Sequence, residues 1–144
     1  MKDLGHWRTT AEPSKSDTPY GFIYVIENIN TGKKYVGKKQ ILTARKTRKA
    51  GRKNRVSKVV ETDWKTYTGS CRELNGEIEQ NGKDVFDFNI IKWCDSKWEM
   101  SYYEAKEQFE RDVIFRSDYY NGILNLRIPK APKHLQEKYN NEQI

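Results

Sequence analysis

Residues 21–38 read GFIYVIENINTGKKYVGK and show the clearest secondary-structure pattern in the chain. A run of β-branched and aromatic residues at Gly21–Ile26 is followed by the turn-like Asn28–Gly32 and by a second run at Lys33–Lys38. Two such runs joined by a short turn predict a β-hairpin. We expect Tyr24 and Tyr35 to reach one cleft if they lie opposite each other, because a shift of one residue turns one side chain to the other face.

Three further elements follow the hairpin. Ser70–Glu73 has the spacing of a capping box and predicts a helix that ends near Gly82. Alternating residues at Val85–Trp93 predict a third strand, and the amphipathic segment Lys97–Arg116 predicts a second, longer helix. The fold class predicted is α+β, a three-stranded antiparallel sheet flanked by helices. The apolar stripe that defines the long helix consists of Trp98, Tyr102, Ala105, Phe109 and Val113.

The length of 144 residues favours one domain with short extensions. We place an N-terminal arm at residues 1–19, where Pro and Ser occur without periodicity, the domain at residues 20–128, and a C-terminal tail at residues 129–144. Residues 43–63 form a basic insertion in the domain. Within it, Thr43–Ala50 is compatible with one or two helical turns, and Gly51–Asn54 is compatible with an exposed loop.

Composition excludes several classes of protein. No run approaches the roughly 20 apolar residues of a membrane span, and the N-terminus lacks an apolar signal segment, so we expect a cytoplasmic location and no membrane partner. Cys71 and Cys94 lack CxxC spacing and a histidine cluster, which argues against a disulfide scaffold and a zinc site. The absence of a glycine-rich phosphate loop with its lysine argues against a nucleotide cofactor.

Charge is the first feature that indicates a partner. The chain carries 27 Lys and Arg against 20 Asp and Glu, a net charge of +7. The stretch Lys33–Lys58 contains no acidic residue, and a concentrated positive charge of this kind suits nucleic acid better than a solvated loop or a targeting run. Its twelve basic residues are Lys33, Lys34, Lys38, Lys39, Arg45, Lys46, Arg48, Lys49, Arg52, Lys53, Arg55 and Lys58.

The hairpin also carries a recognisable motif. Phe22-Ile23-Tyr24, ten intervening residues and Tyr35-Val36-Gly37 resemble the signature of the GIY-YIG nuclease superfamily, with Phe in place of the first Gly. Arg45 stands ten positions beyond Tyr35, where the family's catalytic arginine usually lies on a helix. Glu104 lies on a long helix after the third strand, where the family places a metal-binding glutamate. Tyr120-Asn121 resembles the pair that closes the family core.

The resemblance extends over most of the chain, from about Tyr20 to Leu126. The segment Trp64-x-x-Tyr67-x-Gly69-Ser70 is similar to that of small phage-encoded freestanding endonucleases of the Seg or homing type. What this implies is a phage-type, metal-dependent DNA endonuclease with one Mg²⁺ or Mn²⁺ per site and double-stranded DNA as its substrate. One site per chain leaves open whether a single molecule nicks DNA or a homodimer on DNA cuts both strands.

The family implies that a hairpin tyrosine, Tyr24 by preference, orients or deprotonates the attacking water, and that Tyr35 contacts the scissile phosphate. A tyrosine whose pKa stays near 10 is a poor base at neutral pH. We expect the cations of Lys38, Lys39 and Arg45 to lower that pKa.

The other matched residues also receive roles from the resemblance. Arg45, with Arg48 as the alternative, would grip a phosphate oxygen through its planar guanidinium. Glu104 would bind the metal ion, although helical geometry alone places it roughly 130° from the apolar stripe and so in solvent. Asn121 would brace the glutamate or a water, with Asn125 as the alternative.

Better-known homing members carry histidines after the arginine, and here Tyr67 or Lys38 is the candidate replacement. The chain has no room for a separate DNA-binding domain, so we expect phosphate contacts, low or degenerate sequence specificity, and binding by the domain itself. A catalytically silent DNA- or RNA-binding module with the same fold is the alternative. The expected DNA-binding residues are Lys38, Lys39, Arg48, Lys49, Arg52, Lys53, Arg55, Lys58, Trp64 and Tyr67.

Overall fold

The computed structural model describes residues 3–47, 56–124 and 126–142. None of the helices in these ranges is both long and apolar enough to cross a membrane. Short 3₁₀ turns lie at Trp64–Thr66 and Lys83–Val85. The strands are β1 (Arg8–Thr9), β2 (Gly21–Asn28), β3 (Lys34–Gln40), β4 (Leu42–Thr47), β5 (Val56–Glu61) and β6 (Phe86–Cys94), and the helices are α1 (Arg72–Asn81), α2 (Lys97–Glu110) and α3 (Lys133–Glu142).

The main sheet has four strands in the order β1-β6-β2-β3. Strand β2 is antiparallel to both β3 and β6, which confirms the hairpin, the third strand and the α+β class. The additional strand is β1, which pairs parallel to β6 within the segment expected to be an arm. Trp7 precedes it and is 5% exposed, and its indole N–H donates to the carbonyl of Trp64 over 2.6 Å. A two-residue strand is too short to show periodicity, so the sequence pattern did not reveal it.

Strand β2 is buried on both faces, and its alternating side chains enter two separate clusters. Phe22, Tyr24 and Ile26 pack with aromatic residues and with the apolar side of α1. Ile23 and Val25 pack on the opposite face, against α2 and the segment that follows it. The hydrophobic burial of both sets fixes the register of β2, because a one-residue slip would exchange the two faces.

Strands β4 and β5 form a separate two-stranded antiparallel sheet, here called the ribbon. The helical turns expected at Thr43–Ala50 are therefore wrong for residues 43–47, and the loop expected at Gly51–Asn54 lies outside the described residues. β-branched residues such as Thr43, Val59 and Val60 favour strands, and cross-strand pairing supplies hydrogen bonds that a short isolated helix could not retain.

Helix α1 ends as predicted, with Gly82 at φ 82° in the left-handed region that favours glycine. Its start differs from the prediction. Cys71 is the N-cap residue, and its side chain makes no capping hydrogen bond within the described parts of the chain. The hydroxyl of Ser70, expected to form the capping box, lies 3.2 Å from the hydroxyl of Tyr35 instead.

Helix α2 begins at Lys97, where Ser96 accepts a hydrogen bond from the backbone of Glu99, and ends at Glu110 instead of Arg116. The chain reverses at Asp112, whose φ is 52°. Of the predicted stripe, Tyr102 and Phe109 are 39% and 57% exposed, and the helix buries Met100, Ala105 and Gln108. The outer apolar residues face the C-terminal segment, where the indole of Trp98 donates to the carbonyl of Pro129. The apolar stripe predicted from the sequence thus combined residues from two faces of the helix, one packed on the sheet and one facing the C-terminal segment.

His6 is a half-buried histidine whose two ring nitrogens are both engaged. Nε2 donates to the carbonyl of Tyr67 over 2.9 Å, the Lys83 ammonium lies 3.2 Å from Nδ1, and the ring stacks on Phe88. Burial, reinforced by Lys83, lowers the pKa of His6 from 6.5 to about 4. The fold therefore holds the neutral imidazole.

Because the folded pKa of His6 is depressed, its contribution to stability is complete above pH 6.5 and is lost as the pH falls toward 4. We expect the urea midpoint to fall over this window in the wild type and to fall less in His6→Gln, which is neutral at every pH. His134→Gln, on the exposed side of α3, should keep the wild-type slope. If the urea midpoint of His6→Gln fell with pH as steeply as that of the wild type, the lowered pKa of His6 would be contradicted.

Candidate functional site

The two hairpin tyrosines lie on the same face of the sheet but are not opposite each other. Tyr24 pairs with Gly37, and Tyr35 pairs with Ile26. The tyrosines are thus offset by two residues, which preserves the face because side chains alternate with a period of two. Their ring centroids are 6.2 Å apart. The condition that they must lie opposite each other was too strict, since a diagonal pair also meets.

Two glycines make room for the tyrosine rings. A Cβ added at Gly37 would overlap the Tyr24 hydroxyl and come within 3.0 Å of the Tyr35 ring. A Cβ at Gly69 would lie 3.2 Å from the same hydroxyl and 3.4 Å from the Tyr35 ring, and the φ of +87° at Gly69 also favours glycine. The Tyr24 side chain is 1% exposed, so its hydroxyl is held in a narrow slot.

A third tyrosine completes the cluster. Tyr67 packs edge-on against Tyr24 with centroids 6.2 Å apart, and its hydroxyl group contributes to raising the pKa of Tyr24. The ammonium of Lys39 lies 4.1 Å from the centre of the Tyr67 ring and 2.8 Å from Asp63. The hydrogen bond from Lys39 lowers the pKa of Asp63. Lys39 is therefore held by an ion pair and a cation–π contact.

Glu104 faces the sheet, and the expectation that it is solvated is wrong. Its side chain is 22% exposed, and the Lys38 ammonium lies 3.9 Å from its carboxylate and 3.3 Å from the hydroxyl of Ser101. Burial raises the pKa of Glu104, and this effect exceeds the opposing effects of the Lys38 charge and of a hydrogen bond to the Lys38 backbone. The interactions with Lys38 thus offset only part of the cost of burying the Glu104 carboxylate.

Burial, not positive charge, governs the tyrosine pKa values. It raises the pKa of Tyr24 well above 10, and Tyr35, Tyr67 and Glu104 add to the effect. Burial also raises the pKa of Tyr35, and its hydrogen bond to Ser70 opposes this only in part. In the described residues no cation lowers either value, so the expected effect of Lys38, Lys39 and Arg45 is wrong. Both tyrosines are neutral phenols near pH 7.

The donor set fits a hard divalent cation. In the described ranges no three His, Cys, Asp or Glu side chains converge. Glu104 is the carboxylate whose charge acts on both Tyr24 and Tyr35. The Lys38 ammonium offsets only part of the cost of burying the Glu104 carboxylate, and a bound cation would offset more of it. The tyrosine hydroxyls of the cluster are oxygen donors of the kind that Mg²⁺ accepts. Water and a substrate phosphate would have to supply the remaining ligands.

Asn121 is committed to the backbone of β3. Its side-chain oxygen accepts from the Val36 N–H over 3.0 Å, and its amide donates to the Val36 carbonyl over 2.8 Å. Gln108 donates to the same carbonyl over 3.2 Å. The structure therefore places Asn121 as a brace for the outer edge of the hairpin. The alternative, Asn125, lies outside the described residues.

Residues expected to contact DNA are found in different settings. Trp64 is fully buried, and its indole N–H donates to Glu61, so the expectation that it stacks or wedges at DNA is wrong. Arg45 and Lys58 are exposed and lie on the ribbon, where the helix expected to carry Arg45 does not form. Arg48, Lys49, Arg52, Lys53 and Arg55 lie outside the described residues.

Sequence reasoning missed several residues that position this cluster. Ser70 had been assigned to a helix cap, whereas its hydroxyl contacts Tyr35. Ser101 and Gln108 lie on the inner face of α2, one contacting Lys38 and the other Val36. Gly69 directly precedes Ser70, and a glycine next to a serine between two elements is a turn signal that could have separated Ser70 from the helix.

A family model described as "Putative endonuclease segE, GIY-YIG domain" matches residues 7–124. The match includes Trp7, both hairpin tyrosines and Glu104. No curated protein and no solved structure matches the chain.

Replacing Gly37 by alanine should displace the Tyr24 ring. We expect Gly37→Ala to lower the free energy of unfolding by about 1–3 kcal/mol, because the side chains of Tyr24 and Tyr35 occupy the space that a methyl group would need. Gly76→Ala on α1 is the control: a Cβ there meets nothing within 4 Å, so the helix should be stabilised by up to about 1 kcal/mol. Urea denaturation measures both, and equal effects would contradict the slot.

Proposed function

The chain belongs to the segE GIY-YIG endonuclease domain family, and on this premise we propose that it is a metal-dependent endonuclease that hydrolyses phosphodiester bonds of duplex DNA. The observation that carries the proposal is the convergence of Tyr24, Tyr35 and Glu104. The carboxylate of Glu104 raises the pKa of both tyrosines, so the three groups share one electrostatic environment.

Hydrolysis requires a water to attack the phosphorus in line with the leaving oxygen. Tyr24 is suited to orient that water. It is a neutral phenol packed against the Tyr67 ring, and the Gly37 slot limits the movement of its hydroxyl. A neutral phenol hydroxyl has lone pairs with which to accept a hydrogen bond from the water. We assign Tyr35, held by Ser70, to contact with the scissile phosphate.

Glu104 would hold the divalent cation, Mg²⁺ or Mn²⁺, with one ion per site. When bound, such an ion supplies positive charge to the phosphate oxygens as negative charge develops on them. Lys38 lies against the same carboxylate and would neutralise part of the substrate charge from the other side. A single carboxylate binds such ions weakly, so the ion is expected to enter together with DNA.

Duplex DNA is the proposed substrate because the basic residues are concentrated in Lys33–Lys58. Contacts from such side chains are made with phosphates and carry little sequence information. We therefore propose low or degenerate sequence specificity, and a phage-type enzyme in keeping with the family. Arg45, on the ribbon, is assigned to a phosphate oxygen.

Nicking of supercoiled plasmid tests the role of Glu104. We expect wild-type protein to nick or linearise the plasmid with Mg²⁺ and not with EDTA, and Glu104→Gln to reduce the rate by more than about 100-fold. The control is Glu110→Gln, which removes an exposed carboxylate from the same helix. A wild type that binds plasmid but never cuts would overturn the proposal and favour a silent binding module.

The role of Tyr24 is tested by its pH profile. Tyr24→Phe removes the hydroxyl but keeps the ring, and we expect the cleavage rate to fall by about 100-fold or more while DNA binding in EDTA is unchanged. Tyr102→Phe, on the outer face of α2, should have no effect. Full activity of Tyr24→Phe across pH 6 to 10, a range that includes the ordinary tyrosine pKa of about 10, would exclude an essential hydroxyl.

A further inference from the structure

The ribbon places two cations directly opposite each other. Arg45 on β4 pairs with Lys58 on β5, and both side chains are exposed. Directly opposed residues of an antiparallel pair project from the same face, with Cβ atoms about 4.5–5.5 Å apart. A guanidinium and an ammonium therefore rise side by side from one face of the ribbon.

Like charges in this position repel each other and weaken the pairing of the strands. No described carboxylate forms an ion pair with either residue, and the nearest acidic residue on the ribbon, Glu61, contacts Trp64 and Lys65. The other described cross-strand pairs, such as Thr43 with Val60, carry no like charges. An anion between Arg45 and Lys58 would convert the repulsion into two attractions.

We propose that Arg45 and Lys58 form one clamp that holds a single DNA phosphate. This deepens the proposed function and rests on it. The planar guanidinium can donate two parallel hydrogen bonds to one phosphate, and the lysine ammonium adds a compact charge beside it. The family motif identifies only the arginine, and the ribbon adds Lys58 as its partner.

Duplex DNA is the occupant that the surroundings favour. Most of the ribbon lies in the stretch Lys33–Lys58, which contains no acidic residue, and the one acid at its end, Glu61, contacts Trp64 and Lys65. A two-stranded ribbon is also narrow enough to enter the major groove. A duplex offers a row of phosphates to such a surface, so a clamp for one phosphate would set the position of the ribbon along the backbone.

A double-mutant cycle of DNA binding tests the clamp. Wild type, Arg45→Gln, Lys58→Gln and the double variant are titrated with a short labelled duplex in EDTA over a range of salt concentrations. We expect each single variant to bind about tenfold more weakly. If one phosphate is shared, the double variant should also lose about tenfold, and the salt slope should fall by about 0.9 in all three.

Independent contacts would give a different result: a loss of about 100-fold in the double variant and a fall in slope of about 1.8. That result would overturn the clamp, as would unchanged binding by both single variants or a wild type that binds acidic protein but no duplex. Lys133→Gln combined with Lys138→Gln removes two exposed lysines of α3 and should leave binding unchanged.

The variants could also bind DNA more weakly because the ribbon is damaged. This explanation is tested with Lys58→Glu, which places a carboxylate opposite Arg45. The variant should keep or raise the urea midpoint, because repulsion becomes attraction, while DNA binding weakens more than in Lys58→Gln. A lowered midpoint would overturn the proposal. Binding is measured in EDTA, so failure of the clamp is distinguishable from failure of the endonuclease activity, which is read from plasmid cleavage by the wild type with Mg²⁺.

Discussion

The close approach of Tyr24 to Gly37 determines the geometry of the whole site. The Tyr24 ring lies across a strand position that has no side chain, and this brings its hydroxyl next to Tyr35 and Tyr67. The register that creates this approach is fixed elsewhere, by the burial of β2 on both faces. A slip of one residue would move every buried side chain of β2 into the wrong cluster. The hydrophobic core therefore positions the hydroxyls.

The outer edge of β3 is held by residues outside the sheet. Asn121 forms a two-hydrogen-bond contact with the Val36 backbone, Gln108 adds a third bond, and Tyr119 forms a bridge with Lys34. These contacts satisfy backbone groups that an edge strand would otherwise present to another chain. They also hold the outer edge of β3 at the residue before Gly37, so the segment containing Asn121 supports the tyrosine slot without touching a hydroxyl.

Strong local signals allowed much of the fold to be predicted. The hairpin, β6 and the end of α1 at Gly82 each follow from residues within a few positions of one another. The ribbon does not, because Leu42–Thr47 forms a strand only when paired with Val56–Glu61, a segment further along the chain, and its basic side chains are compatible with either structure. Strand β1 is likewise defined by its partner. At the site, the motif identified the tyrosines and Glu104, whereas the burial of Trp64 and the contact of Ser70 with Tyr35 depend on tertiary packing.

The orientation of α2 shows how polar residues on the inner face of a helix can mislead a prediction from sequence periodicity. Its inner face carries Ser101, Glu104 and Gln108 where the sheet ends, while Trp98 and Tyr102 stack on each other on the outer side. A prediction from periodicity follows the apolar residues, and it therefore assigned the outer apolar face of α2 to the hydrophobic core. Burying a carboxylate beside one lysine destabilises the fold at neutral pH, as the raised pKa of Glu104 shows. An apolar residue at this position would avoid that cost, and in the proposed function a cation held by Glu104 would offset it.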